Sequence, residues 1–240
     1  CHIPVYAKVN ATKMYWDWST AGRMKDGKPY SLTDDDGNVI YTTIKGSFTW
    51  GKNLKPEYTW FNGTAGHYFI GDQVDTTDII QMNTLYGEYA DRKAKIIPVK
   101  MHRARQIYDC EHKMVIQPKL YSEDPAGGGY WETFDWDIAA KLGMEAADAP
   151  YSGNFCFVET EMYWPIHHMV APPQQSVSCE ECHTREGGRL ANLQDFYMPG
   201  RNYSAAVDTI GGLLIVLTII GALAHGLFRI VFRSKNGGRE

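Results

Sequence analysis

Hydrophobic positions are unevenly patterned along this chain. The segment TIGGLLIVLTIIGALAHGLF, residues 209–228, is apolar throughout, with His225 its only ionisable side chain. As a helix rising 1.5 Å per residue it spans about 30 Å, the thickness of a bilayer's hydrocarbon core. Asp208 precedes it, whereas Arg229, Arg233, Lys235 and Arg239 follow. Basic residues on one flank predict a single membrane span over 207–232, a cytoplasmic tail over 233–240, and residues 1–206 on the outer side of an inner membrane. A buried core helix would lack that uniform apolarity and those flanks. His225 lies near the inner end of the span, where it reaches the headgroups or contacts a membrane partner.

Elsewhere the pattern is weaker. VYAKVNATKMYWDWSTAG, residues 5–22, reads as a helix stopped by Gly22. KPYSLTDDDGNVIYTTI reads as a hairpin, its two β-rich stretches flanking an Asp-Gly turn. From 46 to 98, short aromatic segments are broken by Gly, Pro and Asn, with neither a 3.6- nor a 2-residue period. TFDWDIAAKLGMEAADA reads as a second helix, capped by Thr133 or Asp135. The expected fold class is mostly irregular, with α-helices, a small β-hairpin and one C-terminal transmembrane helix. Loops alone bury too little apolar area to offset the entropy of ordering them, so a buried cofactor or partner must add cohesion.

Composition narrows the chemistry. A net charge of −4 leaves no basic footprint for nucleic acid. Aromatic residues make up 13% of the chain and suit packing against large flat rings, although they equally suit an ordinary core. The five cysteines are an odd number, unlike a disulfide scaffold. Two of them fall in SCEECH, where Cys179, Cys182 and His183 form C-x-x-C-H, the attachment signature of haem c. Thiols three residues apart can each bond one vinyl group of a porphyrin, and the adjacent imidazole then becomes an axial ligand of the iron. A redox dithiol or half a zinc site shares the C-x-x-C spacing. However, no thioredoxin-like pattern surrounds this one and no second C-x-x-C completes a zinc ribbon. Attachment of haem c outside the cytoplasm agrees with the orientation of the apolar span.

The first residues do not read as a signal peptide. Cys1 and His2 read as the last half of another C-x-x-C-H, with a lipid-bearing cysteine as the alternative. Further axial ligands must come from His67, His102, His112, His167, His168 or His225, or from Met or Lys. His167 and His168 are adjacent on an extended segment, so one of the two serves a given iron. Cys110 and Cys156 have neither a C-x-x-C partner nor a following His at the right offset. Buried thiols are expected there, with mutual pairing as the alternative.

YSGNFCFVETEMYWPIHHMVAPPQQSVSCEECH, residues 151–183, closely resembles the C-terminal region of octahaem tetrathionate reductase-like multihaem cytochromes. YMPGRNY, KIIPVKMHRARQIYD, YWDWSTAG and KGSFTW extend the resemblance over roughly residues 1–203. The resemblance implies that His102 and His168 are distal haem ligands, and that Cys1–His2 ends a haem motif. His167 then becomes a neighbour, and His67 and His112 gain no role. Family members carry about eight haem motifs, mostly upstream of this region, as is the catalytic haem with its Lys ligand. The expected function is a membrane-anchored multihaem cytochrome relaying electrons between the quinone pool, or a membrane cytochrome, and a periplasmic redox centre. The alternatives are the C-terminal part of an oxidoreductase acting on a sulfur or nitrogen oxyanion, and an assembly protein with a structural haem. Other cytochrome subunits, a quinone-linked membrane cytochrome or further copies of the chain are the expected partners.

Overall fold

The computed structural model describes residues 1–124, 126–193 and 195–236, the last four by backbone alone. Residues 237–240 of the expected tail lie outside the described residues. The strands are β1 (Thr12–Asp17), β2 (Ser31–Thr33), β3 (Val39–Thr42), β4 (Gly46–Gly51), β5 (Glu57–Phe61), β6 (Ala65–His67), β7 (Ile80–Gln81), β8 (Asn83–Leu85), β9 (Lys95–Asp109), β10 (Met114–Val115) and β11 (Phe155–Pro165). The α-helices are α1 (Tyr130–Thr133), α2 (Trp136–Ala146), α3 (Cys179–Cys182) and α4 (Ala205–Asn236).

A sheet organises the chain, so strands have a larger share than the expected fold class gave them, while helices are few and one long apolar helix ends the described residues. Nine strands join it in the order β2-β3-β4-β1-β9-β11-β7, with β5 and β10 also paired to β9. β11 lies antiparallel to β9 from Phe155↔Asp109 to Pro165↔Val99. β1 runs parallel to β9 and antiparallel to β4.

The helix expected over 5–22 is absent. Its centre is β1, and only Trp18–Thr20 forms a 3-10 turn, capped by the Asp17 carboxylate on Ser19 N–H. Bulky Tyr15 and Trp16 favour a pleated surface, and β4 and β9 supply hydrogen-bond partners on both edges. The hairpin forms as expected: β2 pairs antiparallel with β3 across the Asp34–Asn38 turn. The Asp135 cap also forms, its carboxylate accepting from Asp137 and Ile138 N–H at the start of α2.

α2 closes one end of the sheet. Ala140 and Met144 bury against Ile107, Met114 and Ile116, flanked by Trp136, Phe155 and Phe157. A disulfide between Cys110 and Cys156 ties β11 to the residue after β9. The expectation of two thiols is therefore overturned: the β9–β11 register brings the two Cα atoms to 5.7 Å, within disulfide range. Beside it, the buried Asp109 carboxylate accepts hydrogen bonds from the N–H groups of Glu111, His112 and Ser152 and from the Ser152 hydroxyl.

At the opposite end, Tyr6, Ala7 and Ile166 form a second core with Ile3, Leu54 and Met169. It fixes the first residues of the chain against the loop that follows β11.

Candidate haem site

α3 is one turn long, begun by a capping box in which Ser178 and Glu181 satisfy each other's backbone N–H groups. Three residues apart on a helical turn, Cys179 and Cys182 lie on one side of it. Both thiols are free, as is Cys1. Burial pushes the Cys182 thiol up, opposed by Arg189. His183 ends the helix, its N–H donating to the Cys179 carbonyl at 2.8 Å. Its ring Nδ1 lies 2.7 Å from the carbonyl of Pro199. A carbonyl can only accept, so Nδ1 carries a hydrogen, and Nε2 is the ring nitrogen left for a metal. This is the second-shell arrangement that orients a metal-ligating imidazole.

His102, in the middle of β9, repeats it. Its Nδ1 lies 3.2 Å from the Lys13 carbonyl on β1. Burial lowers its pKa, the hydrogen bond to Lys13 opposes that, and the positive charges of Lys100 and Lys13 lower it further. His102 is thus held neutral, the form that binds metal.

His168 lines a cleft of about 360 Å³ with Lys100, Trp164, Ile166 and Met169. Met169 has φ of +66°, so the chain turns sharply just after His168. His167 is exposed and does not line that cleft. His112 lies 3.3 Å from the Asp109 carboxylate, and exposed His67 ends β6.

The Cys1–His2 pair lies alongside the approach to α3. The Cys1 carbonyl accepts from Val177 N–H at 2.9 Å and the His2 carbonyl from Ala171 N–H at 2.7 Å. Arg189 clamps the same junction, bonding the Glu181 carboxylate and the Pro4 carbonyl. The structure thus brings Cys1, His2 and the Cys179–His183 motif into one region, and places His102 on the sheet. Pro199 and Lys13, whose carbonyls orient the two imidazoles, were not legible as site residues, because each lies far in sequence from its histidine or acts through its backbone.

The residues present fit haem c: two free thiols in C-x-x-C spacing and an adjacent imidazole with Nε2 unengaged. Among the described residues no three His, Cys, Asp or Glu side chains converge as a metal cage.

The family model for bacterial cytochrome c matches residues 13–186. No curated protein matches the chain. Among solved structures, octahaem cytochrome c from Shewanella oneidensis is similar at a TM-score of 0.74 and 43% identity, over 84% of this chain and 46% of that one. The chain therefore spans about half the length of that protein.

Proposed function

The chain belongs to the bacterial cytochrome c family and carries covalent haem c, and from that premise we propose that it is a membrane-anchored segment of an electron relay. In this reading Cys179 and Cys182 hold one haem by thioethers and His183 is its axial ligand. Cys1 and His2 serve a second haem, and His102 and His168 are distal ligands. Bound haem c supplies an Fe(III)/Fe(II) couple, and two axial imidazoles leave no position for substrate, which favours relay over catalysis. The carbonyls of Pro199 and Lys13 fix the tautomer and direction of His183 and His102. The disposition of these two imidazoles is the observation that carries the reading.

α4 anchors the relay in this proposal, with residues 1–206 on the periplasmic face and a quinone-linked cytochrome as the partner. The exposed apolar side chains of Ala205–Phe232 support it. A second reading, part of an oxidoreductase acting on a sulfur or nitrogen oxyanion, draws on the match to under half of the octahaem protein.

The test is His102→Ala in the haem-loaded protein. The relay reading expects one haem to change from low-spin to high-spin bands by optical and electron paramagnetic resonance spectra. An unchanged low-spin set removes His102 from the ligands. Pyridine haemochrome per polypeptide separates the two readings, since one or two haems are too few for a self-contained oxidoreductase of this family.

A further inference from the structure

On the face where β1 and β4 pair, Lys13 stands opposite Trp50. Its ammonium lies 3.6 Å from the ring centre of Phe48, 4.1 Å from Trp16 and 5.5 Å from Trp50. These rings are held in place: Trp16 Nε1–H donates to the Lys45 carbonyl and Trp50 Nε1–H to the Val39 carbonyl, both at 2.7 Å. Phe48, Trp50 and Lys13 line a cleft of about 270 Å³ together with Lys45, Ser31 and Thr42.

Among the described residues, neither ammonium has a carboxylate partner. The ion pairs found join Arg103 to Glu161, His112 to Asp109 and Arg189 to Glu181. Burial lowers the pKa of Lys13, and the charges of Lys45 and Lys100 lower it further, with no carboxylate opposing them. Two cations thus line one cleft with no counter-charge among the described residues, and an entering anion would relieve their mutual repulsion. Aromatic faces account for Lys13 as a packing residue. Lys45 also lies 5.6 Å from the centre of the Trp131 ring, which does not line the cleft. The rings leave unexplained why neither ammonium has a carboxylate beside it, and the Thr42 hydroxyl has no hydrogen-bond partner among the described residues.

We propose that the Lys13–Lys45 cleft is an anion site that takes an oxyanion, held by the two ammonium groups and the Thr42 hydroxyl beside the Phe48 and Trp50 rings. Ser31 contributes less, because its hydroxyl already donates to the Tyr41 carbonyl at 3.1 Å. The oxygen-centred negative charge has two sources, a small free oxyanion or a propionate carboxylate of a bound haem.

The haem-loaded protein is titrated calorimetrically with sodium sulfate at constant ionic strength, with chloride as the balancing salt. A free-oxyanion site gives saturable sulfate binding that weakens about tenfold in Lys13→Gln and in Lys45→Gln, the loss of one charged hydrogen bond. A propionate already in place gives no sulfate binding to the parent protein. Instead, both substitutions displace the pH-dependent part of a haem midpoint potential, which propionate ionisation produces. Lys45→Gln keeps the test valid if Lys13→Gln does not fold, since the Lys45 backbone alone holds Trp16. Sulfate bound equally by all three proteins overturns the site. So does the absence of both sulfate binding and any change in the potentials.

Discussion

Two single residues carry more than their size suggests. The Asp109 carboxylate, fully buried at the end of β9, gathers four donors. Burial alone would raise its pKa, but the hydrogen bonds from Ser152, His112 and Glu111 outweigh it and hold the carboxyl below the ordinary value. A depressed native pKa means the contribution to stability is complete above the unfolded value, about pH 4. It is lost as pH falls through the native pKa. Asp109→Ala strands three backbone N–H groups and is expected to cost about 2–4 kcal/mol in denaturant unfolding at pH 7. Asp109→Asn should make the decline of stability between about pH 5 and 3 shallower than in the parent. The second residue is Gly200, at φ of +83° just after the Pro199 carbonyl that orients His183. A Cβ there would lie 2.6 Å from the His183 carbonyl oxygen. Gly200→Ala must therefore displace His183 or the Pro199 turn, at a cost of about 1–3 kcal/mol. The expected result is an altered axial-ligand spectrum with less haem retained, and an unaltered spectrum would show that this close approach is not maintained.

Among the elements, the Cys110–Cys156 bond fastens β9 to β11 across 46 residues of sequence. By chain entropy a loop of that length is worth about 4 kcal/mol, less whatever order the unfolded chain keeps. Cys110→Ala with Cys156→Ala should lower the guanidinium midpoint accordingly, and alkylation of the unreduced, denatured parent should label neither cysteine. The sequence concealed this bond because it concealed β9. Along that strand Val99, Met101 and Ile107 share a face with Arg103 and Arg105, while Lys100, His102 and Gln106 share the other with Ala104 and Tyr108. Neither face reads as a continuous apolar row, since exposed arginines interrupt one and half-buried polar side chains the other. The β2–β3 hairpin, α2 and α4 were legible because their signals are local: an Asp-Gly turn, an Asp cap and an apolar run. The same division holds in the site. C-x-x-C-H declares itself because covalent attachment requires adjacent residues. By contrast, the pairings of His102 with Lys13 and of His183 with Pro199 exist only once strands and loops are packed.

At the scale of the whole molecule, α4 stands apart from the sheet. Within Ala205–Phe232 its most apolar stretch has a mean hydropathy of 2.2, and Leu213, Leu214, Ile215, Leu217, Ile219 and Ile220 are each more than half exposed. A soluble protein rarely leaves an apolar surface of that extent uncovered. The helix is 28 residues long over Ala205–Phe232, about 42 Å at 1.5 Å per residue, long enough to cross the hydrocarbon core of a bilayer. Thr218 donates to the Leu214 carbonyl, so its hydroxyl is satisfied within the helix as a lipid-facing position requires. The proposed anchor and the haem-bearing part depend on different residues, which makes them separable. Truncation before Ala205 should therefore release the protein from alkaline-washed membranes while leaving its haem spectra unchanged, because Cys179–His183, Pro199 and His102 all precede the cut. The full chain should remain with the membrane through the same wash. Release of the full chain would refute the anchor and point to a protein partner covering α4 instead. Loss of haem signal on truncation would show that α4 supports the Pro199 loop, joining the two parts that the structure holds apart.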